Sequence, residues 1–318
     1  MKILYNKIFL EHDTGMHPEN KKRLEACGDL PETKIESGEK YLELVHTKDY
    51  IEHVKEMCKA GMHLDPDTMT SKGTYKAAVH AVGAAIMASK TGDFAFVRPP
   101  GHHAHPTHSS GFCIFNNVAI ATQKLVNEGK RVFIFDFDGH LGDGTEGFFY
   151  YTDKVLYWSL HQSLAFPGGG DVDEIGEGKG LGYTINVPLP PGSGDDIYMK
   201  AVNTFMPVAK QFKPDIVAVS AGFDAHHSDF LLDLRLSYNT YHQLGKILRK
   251  KFKNVFAVLE GGYDLDALPK CAFNFIAGIN NEQIKFEERS TDSRATAREE
   301  FEHRAGMLKK NLSEFWKL

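Results

Sequence analysis

Residues 131–144 read RVFIFDFDGHLGDG. From Val132 to Phe135 the run is β-branched or aromatic, and glycines follow soon after. A short apolar run of this kind reads as a strand buried on both faces, and such strands belong to parallel sheets covered by helices. The polar residues that end the run say more. Asp136, Asp138 and His140 recur at every second position, and on an extended strand end residues i and i+2 share a face. Two carboxylates side by side in an apolar strand resist burial unless positive charge compensates them. A divalent cation supplies that charge. Asp138 and His140, joined by Asp224 at the end of another apolar run, offer two carboxylates and one imidazole with a position left for water. That is the pattern of a catalytic metal site. Zn²⁺ suits the set best, with Fe²⁺ or Mn²⁺ as alternatives.

Working outward, similar runs recur at KILY near the start, FAFVRPP from Phe94, VLYWSLH from Val155, TINVPL from Thr184, DIVAVSAGFD from Asp215 and NVFAVLEGGYD from Asn254. Helical patterns lie between several of them: YKAAVHAVGAAIMASK, NVAIATQKLVNEG and YMKAVNTFMPVAKQF. This alternation predicts an α/β fold, a mainly parallel sheet with helices on both faces. With no repeat and no Ser/Gly-rich linker, residues 1–318 read as a single domain. Near its end, at about 290–318, Phe301, Ala305, Leu308, Leu312 and Phe315 fall at helical spacing and predict a closing helix docked on the domain. Four runs end in polar or glycine-rich clusters, RPPGHH, DFDGHLGDG, SAGFDAHH and LEGGYD. Ligands of open parallel sheets bind outside the carboxyl ends of the strands, so these four loops are expected to meet around one site.

Composition narrows the class. The chain is 42% hydrophobic and 25% charged, ordinary for a soluble globular protein, and its net charge of −5 is a poor basis for nucleic-acid binding. Cys27, Cys58, Cys113 and Cys271 are widely spaced and form no C-x-x-C pair, which predicts reduced thiols and neither a disulfide framework nor a zinc ribbon. The opening MKILYNKIFLEHD is too interrupted for a signal peptide and no apolar run is long enough to span a membrane. A cytoplasmic protein is the expectation.

His102 and His103 are adjacent and so point in different directions, and each needs its own partner. Asp136 and Asp143 can fix the two rings, as carboxylates do for catalytic imidazoles. The pair then acts as general base and general acid. His105 and His108 read as solvated loop residues. The glycines of EGGYD allow a tight turn that aims Tyr263 inward, where a hydroxyl can hydrogen-bond a developing oxyanion.

RPPGHHA, GFCIFNN, DFDGHLGDGTEGFF, SAGFDAH and EGGYD, in this order and spacing over roughly residues 1–280, resemble the zinc-dependent histone deacetylase family. That family includes acetoin-utilisation proteins and acetylpolyamine amidohydrolases and shares an arginase-like fold. The resemblance implies an eight-stranded parallel sheet between helical layers, and hydrolysis of an N-acetylated amine to amine and acetate. It implies that Asp138, His140 and Asp224 are zinc ligands, that His102 and His103 are a dyad backed by Asp136 and Asp143, and that Tyr263 stabilises the oxyanion. His103 is expected to take a proton from water and deliver one to the leaving amine. Gly111, Phe112 and Phe166 match a tunnel gripping an alkyl chain, which suits the apolar stem of lysine. Asp67 matches a residue that clamps substrate backbone, and Arg23 one that lines an acetate cavity. Ser159 and Leu160, with the backbones of Asp136, Asp138 and His140, match a structural K⁺ site.

Departures from the pattern also carry expectations. Arginases hold two metals with a D-x-H-x-D pattern, but Gly142 stands two residues beyond His140, so one metal and an amide substrate are expected. Leu141 stands where histidine is common, and DAHHSDFLLDLRLS lacks the usual Pro-Gly. Leu231 occupies a rim position where polyamine-selective members carry glutamate. An apolar rim gives a second ammonium no partner, which favours acyl-lysine in a protein or peptide over acetylpolyamines and other small acetylated amines. A non-catalytic acyl-lysine binder is the remaining class of reading.

Overall fold

The computed structural model describes all 318 residues. Seven strands form one sheet: β1 (Ile3–Leu4), β2 (Phe94–Ala95), β3 (Val132–Asp136), β4 (Val155–Gln162), β5 (Thr184–Leu189), β6 (Ile216–Ala221) and β7 (Val255–Leu259). Nine α-helices accompany them: α1 (Lys22–Glu25), α2 (Lys48–Ala60), α3 (Thr74–Thr91), α4 (Asn117–Asn127), α5 (Asp143–Phe149), α6 (Asp195–Phe212), α7 (Tyr238–Lys251), α8 (Ala267–Ile279) and α9 (Ala295–Leu312). Each of the seven apolar runs becomes a strand. The eighth strand implied by the family resemblance does not form. No further β-branched run remains for it, Pro190 and Pro191 follow β5 directly, and α9 packs on β5.

The strand order is β1-β2-β7-β6-β3-β4-β5, and every pairing is parallel. All residues of β3 and β4 are buried, as strands covered on both faces require. From β3 the chain moves out one way through β4 and β5. It then returns beside β3 as β6 and continues the other way to β7, which pairs with β2. The reversal between β3 and β6 is the crevice where ligands of open α/β sheets bind. Register keeps the strand ends level: Asp136 lies opposite both Ser159 and Ser220, and Ala221 opposite Leu259.

Helix α9 buries Ala297, Phe301, Ala305, Leu308 and Leu312 as its spacing predicts. Phe315 lies past the helix end and sits over Gly182, while the Trp316 indole N–H donates to the Gly182 carbonyl at 2.6 Å. All four cysteines are buried and unpaired. No helix is long and apolar enough to cross a membrane.

One buried histidine outside the site makes stability pH-dependent. The His46 ring is nearly enclosed, with Nδ1 at 3.0 Å from the His105 carbonyl and Nε2 accepting the Asn116 amide at 2.9 Å. That pair of partners suits a neutral ring only. Burial pushes its pKa down to about 4. The unfolded ring protonates near 6.5, so its contribution is intact above that pH and is lost as pH falls from 6.5 towards 4. Between pH 7 and pH 5 the loss is about 2 kcal/mol. Urea midpoints at both pH values are expected to show a drop in the wild type that is smaller by that amount in His46→Gln.

Candidate active site

The four loops converge because β2, β7, β6 and β3 are neighbours. β3 ends at Asp136, and residues 137–142 leave the sheet as a turn. The expectation that Asp136, Asp138 and His140 share one strand face is corrected by this early end. Asp138 and His140 turn toward Asp224, which lies beyond β6, and ligand atoms of these three buried residues sit within 4.8 Å of one another. Asp136 instead bonds His102 Nδ1 at 3.2 Å and the Tyr157 hydroxyl at 3.2 Å.

Backbone amides fix the two carboxylates. Gly261 N–H donates to Asp138 Oδ2 at 2.7 Å, His140 N–H to Asp138 Oδ1 at 2.9 Å, and Gly139 N–H to Asp224 Oδ1 at 2.7 Å. His140 Nδ1 lies 2.8 Å from Asp224 Oδ2. A Cβ on Gly222 would fall 1.9 Å from Asp138 Oδ2, so the turn after β6 accepts only glycine there. Burial alone would raise both carboxyl groups. The charge of His102 and the bond from His140 outweigh it for Asp138, whereas burial and the Asp138 charge hold Asp224 up. Two buried carboxylates with one imidazole and a glycine cradle fit a divalent cation, whose charge would relieve their repulsion.

The histidine dyad stands beside this group. The ring centroids of His102 and His103 are 4.0 Å apart, and those of His103 and His140 are 6.2 Å apart. Asp143 Oδ1 bonds His103 Nδ1 at 2.7 Å. Burial, and next the charge on His102, push His103 down to about 4, which leaves it neutral and able to accept a proton at neutral pH. Burial would lower His102 too, but Asp138 and Asp136 outweigh it and hold its pKa well above the usual value. The dyad is therefore an asymmetric pair, a neutral ring beside a charged one.

Tyr263 is buried, its amide donates to Asp229 Oδ2 at 2.7 Å, and its hydroxyl bonds no protein group. Burial keeps that hydroxyl protonated, hence a donor. Phe112 packs edge-on to Tyr263 at 5.7 Å and to His17 at 4.5 Å. Phe166 packs edge-on to His103 at 5.1 Å and is half exposed. Gly111, at φ +50°, lies between these walls. A Cβ there would come within 2.5 Å of His103 and 2.7 Å of Phe166. Leu141 is buried beneath Gly169 and Gly170. On the 229–232 segment Leu231 is half-buried, Phe230 is exposed, and Leu232 is buried against Gly139.

Other predicted positions fall differently. Asp67 is exposed on a turn and its carboxylate makes no hydrogen bond, while neighbouring Asp65 accepts from the Ser109 hydroxyl at 2.6 Å. His105 is not the solvated residue expected: its Nε2 lies 2.8 Å from Asp143 Oδ2, so one carboxylate holds two imidazoles. Ser159 pairs with Asp136 in register, its hydroxyl bonds His161 Nδ1 at 2.9 Å, and Leu160 is buried beside it. The buried Ser220 hydroxyl has no partner, and no protein donor reaches the Asp138 and His140 carbonyls.

Several supporting groups escape sequence reasoning, although Arg23 among them is named by the family resemblance. Glu260 Oε2 accepts the amides of Gly101 at 2.7 Å and His102 at 3.1 Å, and burial pushes its carboxyl up to about 7. Glu19, Arg23, Arg98 and His12 form a buried charged network. Glu19 Oε1 accepts from Arg98 Nε at 2.5 Å and from Arg23 at 3.0 Å, and His12 Nε2 lies 3.3 Å from Glu19 Oε2. Arg23 Nε donates to the Gly262 carbonyl at 2.6 Å, and its guanidinium lies 5.0 Å from the centre of the Tyr263 ring. Apart from Arg23, the one signal in the sequence is an arginine directly after an apolar strand run, in FAFVRPP.

A parallel α/β sheet with a metal-type triad, a carboxylate-backed histidine pair and a buried tyrosine at its carboxyl edge defines a hydrolase architecture. Comparison with known proteins agrees. Residues 17–279 match the model of the histone deacetylase domain, and the chain belongs to that family of deacetylases. It is 38% identical over 306 residues to a protein named probable deacetylase from Archaeoglobus fulgidus, covering 87% of this chain and 85% of that one. A probable deacetylase from Methanothermobacter thermautotrophicus is 34% identical over 305 residues, with 90% and 92% covered. Among solved structures, the crystal structure of the HDA15 HD domain superposes with a TM-score of 0.88 at 29% identity, over 99% of this chain and 97% of that one. The family match stops at Ile279, so α9 and the segment before it lie outside it.

Proposed function

We propose that this chain is a zinc-dependent amidohydrolase that removes acetyl or other acyl groups from the Nε of lysine in proteins or peptides. The observation that carries the reading is the placement of Asp138, His140 and Asp224 next to the His102–His103 pair and the free hydroxyl of Tyr263. Asp138, His140 and Asp224 would hold the metal, which when bound supplies Lewis-acid polarisation of the scissile carbonyl. Potassium at the Ser159–Leu160 position would satisfy the open Asp138 and His140 carbonyls.

The chain's own groups carry the proton steps. His103 holds its Nδ1 against Asp143, which leaves Nε2 to take a proton from the attacking water. The Tyr263 hydroxyl donates to the oxygen on which negative charge develops. Nε2 of His103 then returns the proton to the leaving amine, so water and amide become amine and carboxylic acid, and the acid's proton passes to the amine at neutral pH to give ammonium and carboxylate. His102, held by Asp136 and by its amide bond to Glu260, stands beside the reaction centre and fixes the position of His103. Phe112 and Phe166 would flank the lysine stem.

Phe230 and Leu231 favour acyl-lysine over an acetylated diamine, because neither can pair with a second ammonium. Release of free amine from an acetyl-lysine peptide and from an acetylated diamine, assayed side by side after Zn²⁺ or Fe²⁺ loading, tests this. Metal-dependent turnover of the peptide in preference to the diamine is expected. Turnover of the diamine alone overturns the substrate and keeps the site.

A further inference from the structure

We propose that His226, His227 and Glu288 form a second divalent-metal site, of the class that takes Zn²⁺, separate from the catalytic group and built partly from the segment beyond the family match. The Nε2 atoms of the two rings converge on one carboxylate. His226 Nε2 lies 3.1 Å from Glu288 Oε2, and His227 Nε2 lies 2.7 Å from Glu288 Oε1. All three ligand atoms fall within 4.8 Å of one another. A tetrahedral ion with bonds near 2.0–2.1 Å has ligand–ligand edges of about 3.3 Å, so small outward shifts of these groups admit it. Two imidazoles, one carboxylate and an open fourth position are also a zinc donor set.

The site is built before any ion arrives. The His226 ring is buried and stacked on Tyr238, with centroids 4.5 Å apart and planes at 7°. Its Nδ1 lies 2.9 Å from the Ser228 hydroxyl and accepts the Ser228 amide at 3.3 Å, which leaves Nε2 facing Glu288. A metal on Nε2 moves the ring proton to Nδ1, where the Ser228 hydroxyl is the acceptor in reach. Glu288 is held by the Tyr238 amide at 3.0 Å, and its own amide donates to Asn239 at 3.3 Å. The His227 side chain is 38% exposed and opens the site to solvent. The ligands join the loop just past Asp224 to Glu288, which follows α8. A bound ion would tie the C-terminal segment to the loop that carries a catalytic carboxylate.

The test is metal stoichiometry in the full-length chain, stripped with a chelator and titrated with Zn²⁺, and with Co²⁺ for its visible bands. Wild type is expected to take up two equivalents. His227→Ala and Glu288→Gln, both checked by circular dichroism, are each expected to take up one. His140→Ala is expected to keep one, and His140→Ala/His227→Ala none. Equal uptake by wild type, His227→Ala and Glu288→Gln overturns the site, whatever His140→Ala does. Loss of uptake in His227→Ala together with full retention in His140→Ala supports this site and instead removes the catalytic-metal reading.

Discussion

Tyr263→Phe is expected to lower kcat by about 10²–10³-fold, the usual effect of deleting one oxyanion donor. KM should move little, because the ring and its packing on Phe112 and beneath Arg23 are retained. The hydroxyl has no protein partner, so its removal leaves no group unpaired in the resting enzyme. Metal content and thermal midpoint should match wild type. Steady-state kinetics on an acetyl-lysine peptide, with metal analysis of the same preparation, checks this. Unchanged turnover would remove Tyr263 from the chemistry. No turnover in either protein would favour the non-catalytic acyl-lysine binder.

Glu19→Gln should cost about 3–5 kcal/mol of stability, the usual result of taking one partner from a buried ion cluster. Glu19 faces Arg98, Arg23 and His12, and all four side chains are almost fully enclosed. Burial would raise the Glu19 carboxyl, yet Arg98 and His12 hold it well below the usual value. Its contribution is therefore complete above pH 4.5 and is lost as pH falls below that. At neutral pH the thermal midpoint should drop by about 4–8 °C, taking an unfolding entropy of about 2.1 cal/mol/K per residue. Activity should fall too, because Arg23 holds the Gly262 carbonyl and lies against the Tyr263 ring. A midpoint within 2 °C of wild type would show that the network adds no net stability.

How much of this was legible in the residues varies from group to group. Each strand followed from an apolar run with polar punctuation, because strand burial is a local pattern. Asp138, His140 and Asp224 could be grouped, and His102 and His103 matched to Asp136 and Asp143, because all lie in the loops that follow strands β2, β3 and β6 or at the edges of those loops. The faces were less legible. β3 stops at Asp136, which leaves Asp136 against His102 Nδ1 while Asp138 lies between His102 Nε2 and the His140–Asp224 pair. A two-residue period holds only while the backbone stays extended. The double role of Asp143 was also hidden, since His105 looks like any other histidine of a loop.

A parallel α/β sheet, one closing C-terminal helix and a polar site beyond the strands follow from residue order alone, because those properties rest on neighbours a few residues apart. The strand order that makes β2, β7, β6 and β3 adjacent emerges from the folded chain and not from residue order. The folded chain alone joins Arg23 to Gly262, 239 residues away, and His226 to Glu288, 62 residues away. Such contacts depend on which loops the sheet order brings together, and side-chain identity within a segment carries no record of a partner that distant.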